Sequence, residues 1–268
     1  MIDQDTAARS LAHWSEDGRA EMEAFYALAT EDYRQLVLAA DWASLLAGVS
    51  SPGWRLLDVA CGSGKFLTAL LDAGVLSALP ALTYDLLDPS AFSVAEARAC
   101  LRPPLVPGAE LVVTLQEHHG RPYEVVWATH ALYAVPPDEL GLCASRFVEA
   151  LAPGGLGVVA QATAASHYLA FYDAYRAGVT AATPYTSAEQ VRDALREAGA
   201  EVREQRITYR TGTTDRTVAE GFLQRCAFDD TVSLEQMEAA PVLGDYLADC
   251  RRPDGSYDFS HEVSLLWL

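Results

Sequence analysis

Basic side chains are scarce in this sequence: 19 lysines and arginines stand against 37 aspartates and glutamates, for a formal charge of −18 over 268 residues. A field of that sign repels phosphate backbones, which excludes nucleic acid as the expected partner and favours small cationic molecules. Paired cysteines are missing as well. Cys61, Cys100, Cys143, Cys226 and Cys250 are odd in number and show neither C-x-x-C spacing nor a neighbouring histidine pair. That argues against a disulfide framework or a zinc knuckle and for reduced thiols. No apolar run approaches the ~20 residues that cross a bilayer, and Met1–Asp5 lacks the basic-then-apolar pattern of a secretory leader. The expectation is a cytoplasmic protein without a membrane partner. Internal repeats, low-complexity tracts and long Pro/Gly/Ser linkers are also absent, so a single domain over residues 1–268 is expected.

Half of the residues are hydrophobic, enough to bury a large α/β core. The most informative stretch runs from Leu56 to Phe66. It reads as a buried strand ending in Asp58, a tight turn at Gly62-Ser63-Gly64, and the start of a helix. Glycine at such a turn lets the main chain come close to a ligand, because a Cβ would stand between them. The dinucleotide fingerprint G-x-G-x-x-G asks for a third small residue where this chain has Leu67, so the fit to a nicotinamide enzyme is poor.

Residues 1–50 are helical in pattern, with a second helix capped at Thr30, and Ser50-Ser51-Pro52-Gly53 breaks the chain before the first strand. A helix at 65–73 and a strand at 82–87 complete a βαβ unit, and Asp88 follows at the strand end, where an acid commonly bonds ribose hydroxyls. Asp85 is the alternative in the same run. A helix at 90–101, a third strand at 110–115 and a fourth at 123–129 come next. His118 and His119 lack further ligands at workable spacing and read as a solvated loop, so no metal is expected. Pro136 opens a helix, Pro153-Gly154-Gly155 turns into a strand at 156–162, and a helix covers 165–177. Thr186 to Glu189 has capping-box spacing for a helix stopped by Gly199. Strands at 202–209 and 259–268 enclose helical stretches at 215–227 and 234–250. The expected fold is α/β: a doubly wound, seven-stranded, mostly parallel sheet with helices on both faces. An N-terminal helical lid (1–50), a cofactor-binding core (54–162) and a substrate-side half (163–268) with a helical insertion before the last strand make up its parts.

The acid-then-glycine turn, Asp88 after the second strand and the Leu151-Ala152-Pro153-Gly154-Gly155 corner together resemble the Rossmann-like S-adenosylmethionine (SAM) methyltransferases. The resemblance implies SAM as cofactor, with Gly62 and Gly64 under its methionine part, Asp58 helping to hold the turn and the ligand's ammonium, Asp88 on the ribose, Gln116 at the adenine edge and Thr129 among the cofactor contacts. Trp127 to Val135, the helix at 166–175, Phe259 to Leu265 and Ala29-Thr30-Glu31 resemble stretches of the histamine N-methyltransferase family. That family holds its amine with a Glu and two amides. The matching positions here are Glu31, His130 and His261, so two groups that only hydrogen-bond have become imidazoles that also accept protons.

In-line methyl transfer requires donor carbon and nucleophile to be held collinear with water excluded, and a base assists an acceptor that must lose a proton. Glu31, His130 and His261 are the candidate base and orienting groups, and Tyr26, Tyr133, Glu31 and His261 the candidate substrate contacts. The expected activity is methylation of a small nitrogenous or aromatic metabolite at nitrogen or carbon, such as an amine, an indole or a natural-product intermediate. A SAM-binding sensor or partner subunit without catalysis is the alternative, ahead of a nicotinamide oxidoreductase.

Overall fold

Mostly apolar runs such as Leu82–Leu87 and Tyr123–Thr129 suit strands covered on both faces. The computed structural model describes residues 6–16 and 19–268; Met1–Asp5, on which the leader argument turned, lie outside them. In chain order the elements are α1 (Thr6–His13), α2 (Arg19–Leu38), α3 (Trp42–Val49), β1 (Arg55–Val59), α4 (Lys65–Asp72), β2 (Leu82–Leu87), α5 (Ala91–Cys100) and β3 (Leu105–Leu111). Then follow β4 (Tyr123–Thr129), α6 (Leu140–Glu149), β5 (Leu151–Ala162), α7 (His167–Gly178), α8 (Ala188–Glu197), β6 (Arg203–Thr213), α9 (Arg216–Ala227), α10 (Leu234–Ala239), α11 (Leu243–Asp249) and β7 (Tyr257–Trp267).

The strands form one seven-stranded sheet in the order β3-β2-β1-β4-β5-β7-β6. Only β7 runs antiparallel to its neighbours. The order reverses between β1 and β4, and the crevice beyond their carboxyl ends is where such sheets bind ligands. Alternation along the strands feeds two cores: Leu56, Val125 and Trp127 face one side with Trp42 and Phe66, while Leu57, Val126 and Ala128 face the other with Phe147. Trp42 packs within 5.2–6.4 Å, ring centre to ring centre, of Phe66, Trp267 and Trp127, which docks α3 on the sheet. A third core of Phe171, Tyr172, Tyr175, Phe222 and Phe259 lies under α7 and α9.

Several boundaries differ from the sequence expectation for local reasons. Thr30 does not cap a helix: α2 runs through it, and its hydroxyl donates to the Tyr26 carbonyl at 2.6 Å, the back-bond available to a mid-helix threonine. The third strand is Leu105–Leu111 rather than 110–115. It is an edge strand in register with β2 from Leu82↔Leu105, and an edge tolerates Pro107. Leu115–Glu117 form a short 3-10 turn instead. The box at α8 uses Ser187 and Gln190, one residue on from Thr186 and Glu189. Pro241 divides the 234–250 stretch into α10 and α11. Among the described residues no helix is long and apolar enough to cross a membrane.

Candidate active site

Three residues after β1 take left-handed backbone: Ala60 (φ 49°), Gly62 (φ 51°) and Gly64 (φ 69°). A Cβ on Gly64 would come within 3.2 Å of the Ala97 Cα, so Gly64 lets α5 pack against the turn. A Cβ on Gly62 would meet nothing within 4 Å, because that side of the turn is open. Asp88, just past β2, stabilises the open side. Its Oδ2 accepts the Gly62 N–H at 3.0 Å and its Oδ1 accepts the Ser90 N–H at 2.8 Å. A cavity of about 350 Å³ lies there, bounded among others by Gly62, Ser63, Asp88, Gln116, Thr129 and His130.

Four of the expected cofactor residues therefore meet on one cavity: Gly62, Asp88, Gln116 and Thr129. Gln116 is held by its Nε2 donating to Glu139 at 2.7 Å. Asp58 does not reach the wall. Side chains alternate on β1, so Asp58 shares the Leu56 face and accepts the Tyr84 hydroxyl at 2.6 Å inside the core, where burial pushes its carboxyl up to about 7. Asp85 is likewise taken up elsewhere, accepting from Arg55, the Tyr123 hydroxyl (3.0 Å) and the Ala109 N–H (2.9 Å). Of the two acids in that run, Asp88 is the one on the cavity.

Tyr26, expected as a substrate contact, lies over the glycine turn and borders the first cavity. Its hydroxyl bonds that of Ser63 at 2.9 Å, the Lys65 ammonium sits 4.4 Å from its ring centre, and burial raises its phenol to about 12. Tyr133 stands at the junction between this cavity and a second. Its hydroxyl accepts from the Trp14 indole at 3.0 Å and bonds Ser10 at 3.0 Å, tying α1 across the opening. The Trp14 carbonyl in turn accepts from Ser90 at 2.7 Å.

The second pocket, about 80 Å³, shares Trp14, Tyr33, His130 and Tyr133 with the first. Phe25, Tyr168, Tyr185 and Phe228 add aromatic wall, and Asp32, Gln161, Arg225 and Cys226 polar groups. His130 has left-handed backbone (φ 51°), the kind of strain that concentrates at functional sites, and its N–H donates to the Ala160 carbonyl at 2.8 Å. Burial depresses its imidazole to about 4, so it is neutral at pH 7, and its Nε2 has no hydrogen-bond partner.

The expectation for Glu31 is not met. Its carboxylate turns outward and accepts from Arg34 (2.7 and 2.6 Å) and Gln35 (2.7 Å), whereas its neighbour Asp32 points inward, 3% exposed. Asp32 accepts the Tyr168 hydroxyl at 2.5 Å on Oδ2, and its Oδ1 has no partner. Burial pushes its carboxyl up to about 7, with the hydroxyls of Tyr168 and Tyr209 opposing. His261 is also outside both cavities, behind Tyr168. It stacks on Tyr209 at 4.9 Å, bonds Thr211 through Nε2 at 2.9 Å, and burial drops its imidazole to about 3. His118 is buried against Tyr123 rather than solvated, and among the described residues no cluster could hold a metal ion.

The methyltransferase domain family matches residues 30–205, about two thirds of the sequence. The chain belongs to the methyltransferase domain family. In fold it is similar to magnesium protoporphyrin IX methyltransferase from Synechocystis PCC 6803, solved with bound SAH, at 15% identity over 98% of this chain and 99% of that one, with a TM-score of 0.58. It is also similar to an O-methyltransferase family protein from Burkholderia thailandensis, at 17% identity over 72% of this chain and 60% of that one, with a TM-score of 0.53. No curated protein matches the sequence.

As a SAM-dependent methyltransferase domain the chain takes SAM as cofactor, and the cavity suits that group. Gly62 presents bare main chain to the space, and the Asp88 oxygens, each with one bond made, keep lone pairs for hydroxyl donors. The volume lies in the range of small-molecule sites. The methyltransferase's second pocket was the part that sequence reasoning missed: Asp32, Gln161, Tyr168 and Arg225. One signal was present for Asp32, which falls on the buried stripe Ala29, Asp32, Leu36 at helical spacing.

Proposed function

We propose that this methyltransferase transfers a methyl group to a small nitrogenous or aromatic acceptor bound in the second pocket, the whole chain acting as one catalytic unit. The observation that carries the reading is the shared wall: Trp14, Tyr33, His130 and Tyr133 border both cavities, so the two adjoin at these residues. SAM, when bound, supplies an electrophilic methyl on a sulfonium. Asp88 and the Gly62 turn would hold its ribose and methionine ends, with Gln116 and Thr129 beside them. Phe25, Tyr33 and Tyr168 suit the face of a planar ring. His130, neutral and with Nε2 unpaired, is the orienting group nearest the junction. The likeness of Trp127 to Val135 to the histamine N-methyltransferase family supports a nitrogenous acceptor. The replacement of one of that family's amides by His130, on the wall of both cavities, speaks against histamine itself.

The test is incubation with SAM and a panel of indole, tryptamine, histamine and catechol, read by mass spectrometry, beside calorimetric binding of SAH. SAH binding together with a gain of one methyl on a panel member supports the reading. SAH binding with no methylated product would sink it in favour of binding without catalysis.

A further inference from the structure

We propose that Asp32 takes the proton that the methyl acceptor gives up, with Tyr168 holding its carboxyl in position. The inference rests on reading the second pocket as the acceptor site. Asp32 lines that pocket, is 3% exposed and keeps Oδ1 without a partner. A buried carboxyl oxygen left unpaired is costly, and the cost is relieved by a ligand that donates to it. The neighbouring polar atoms point to the same class of ligand. Gln161 gives its Nε2 hydrogen to the Thr186 carbonyl at 2.9 Å, which fixes the amide with its Oε1 unpartnered, a second acceptor on the pocket wall. Beside the Arg225 guanidinium the pocket thus presents two unpaired acceptor oxygens, and a methyl acceptor that satisfies them carries an N–H or O–H. A tertiary amine or a thioether would leave both oxygens unsatisfied.

In the transfer, the acceptor's proton moves to Asp32 Oδ1, and the lone pair released on nitrogen or oxygen forms the bond to the methyl carbon. The carbon–sulfur bond breaks with its electron pair going to sulfur. Negative carboxylate and positive sulfonium are both neutralised, and the proton leaves Asp32 for solvent when the products depart. The Tyr168 hydroxyl, 2.5 Å from Oδ2, orients the free oxygen and favours the ionised form. The groups facing Asp32 are Tyr168 from α7, Tyr209 from β6, Cys226 and Arg225 from α9, His130 after β4, and Glu31 and Tyr33 on its own helix. His261 stands one ring further back, against Tyr168. A carboxyl near 7 is better matched to base catalysis at neutral pH than an imidazole near 4, which separates Asp32 from His130.

The experiment measures single-turnover methylation of the panel acceptors by wild type, Asp32→Asn, Asp32→Glu and Tyr168→Phe across pH, with SAH affinity as the check on folding. Wild type is expected to lose rate about tenfold per unit as pH falls below a midpoint near 7. Asp32→Asn should lose at least ~100-fold in rate and that acid limb, with SAH affinity kept, and Asp32→Glu should recover part of both. Tyr168→Phe should move the limb to higher pH, since the hydroxyl bond holds the carboxyl down. An Asp32→Asn variant that keeps the wild-type rate and limb overturns the inference while leaving methyl transfer standing. If wild type binds SAH and methylates none of the four probes, the acceptor-site reading falls and the inference with it.

Discussion

Replacing Asp88 by alanine tests the cofactor site most directly, because the side chain acts both on the turn and on the open cavity. In the structure its two oxygens accept from the Gly62 and Ser90 N–H groups at 3.0 and 2.8 Å. Alanine removes both, leaves the Gly62 N–H facing the cavity unpaired, and deletes the lone pairs available to ribose hydroxyls. A hydrogen bond to a charged group contributes about 1.5–3 kcal/mol net, so the loss of one ligand bond and of the turn's order should weaken SAH binding by roughly 10- to 150-fold. Asparagine keeps one acceptor oxygen without the charge, and roughly 5- to 10-fold is expected. Asp85→Asn is the control. That carboxylate is spent on Arg55, Tyr123 and Ala109, so stability should fall by about 2–3 kcal/mol with SAH affinity within about twofold of wild type. Isothermal titration with SAH and urea unfolding read the two quantities separately. An Asp88→Ala protein that is folded and binds SAH within about threefold of wild type would refute the argument.

Tyr133→Phe removes the hydroxyl that bonds Ser10 and Trp14, so hydrogen exchange of the α1 amides should quicken by about tenfold; unchanged exchange would mean that the other ties hold the helix alone. Ala60→Gly relieves a left-handed alanine worth about 1–2 kcal/mol at the cost of about 0.5–1 kcal/mol of glycine entropy, so Tm should rise by about 2 °C, and a fall would count against strain at the turn. Asp32 and Asp58 both have carboxyls raised to about 7 by burial, so the fold retains protons that the unfolded chain has already lost above about pH 4. Their contribution to stability is therefore full below that pH, falls as pH rises toward about 7 and is gone above it, by up to about 4 kcal/mol each. Urea unfolding at about pH 5 and about pH 8 should show a smaller difference in Asp58→Asn than in wild type; an equal difference would clear Asp58 as a cause.

Legibility in the sequence followed the range of the forces involved. Leu82–Leu87 and Tyr123–Thr129 match the strands residue for residue, because a strand covered on both faces is written as a mostly apolar run with turn residues at its ends. Gly62 and Asp88 were readable because a left-handed turn and an acid one strand away are local demands on residue type. The third strand was misread because an edge strand exposed on most of its length carries no apolar period. His261 lies in the strand expected for it, yet its ring is enclosed by Tyr209, Tyr168 and His167, a matter of which neighbours fold over it.

What the sequence by itself determined is the corner and its frame: a strand, a glycine turn, a helix, an acid after the next strand, and a periodic order of elements that closes into this sheet. Those follow from backbone conformation and from apolar spacing along single elements. What only the tertiary structure decided is which of two adjacent acids serves the second pocket. Glu31 and Asp32 are about 100° apart around α2, and the docking of that helix, with Phe25 stacked on Phe222 of α9 at 5.6 Å and Asp32 bonded to Tyr168 of α7, turns Asp32 inward and Glu31 to solvent. The same holds for Asp58 and Asp88: the pleat of β1 sends Asp58 into the core, whereas Asp88, just past β2, is held on the cavity by the Gly62 and Ser90 N–H groups.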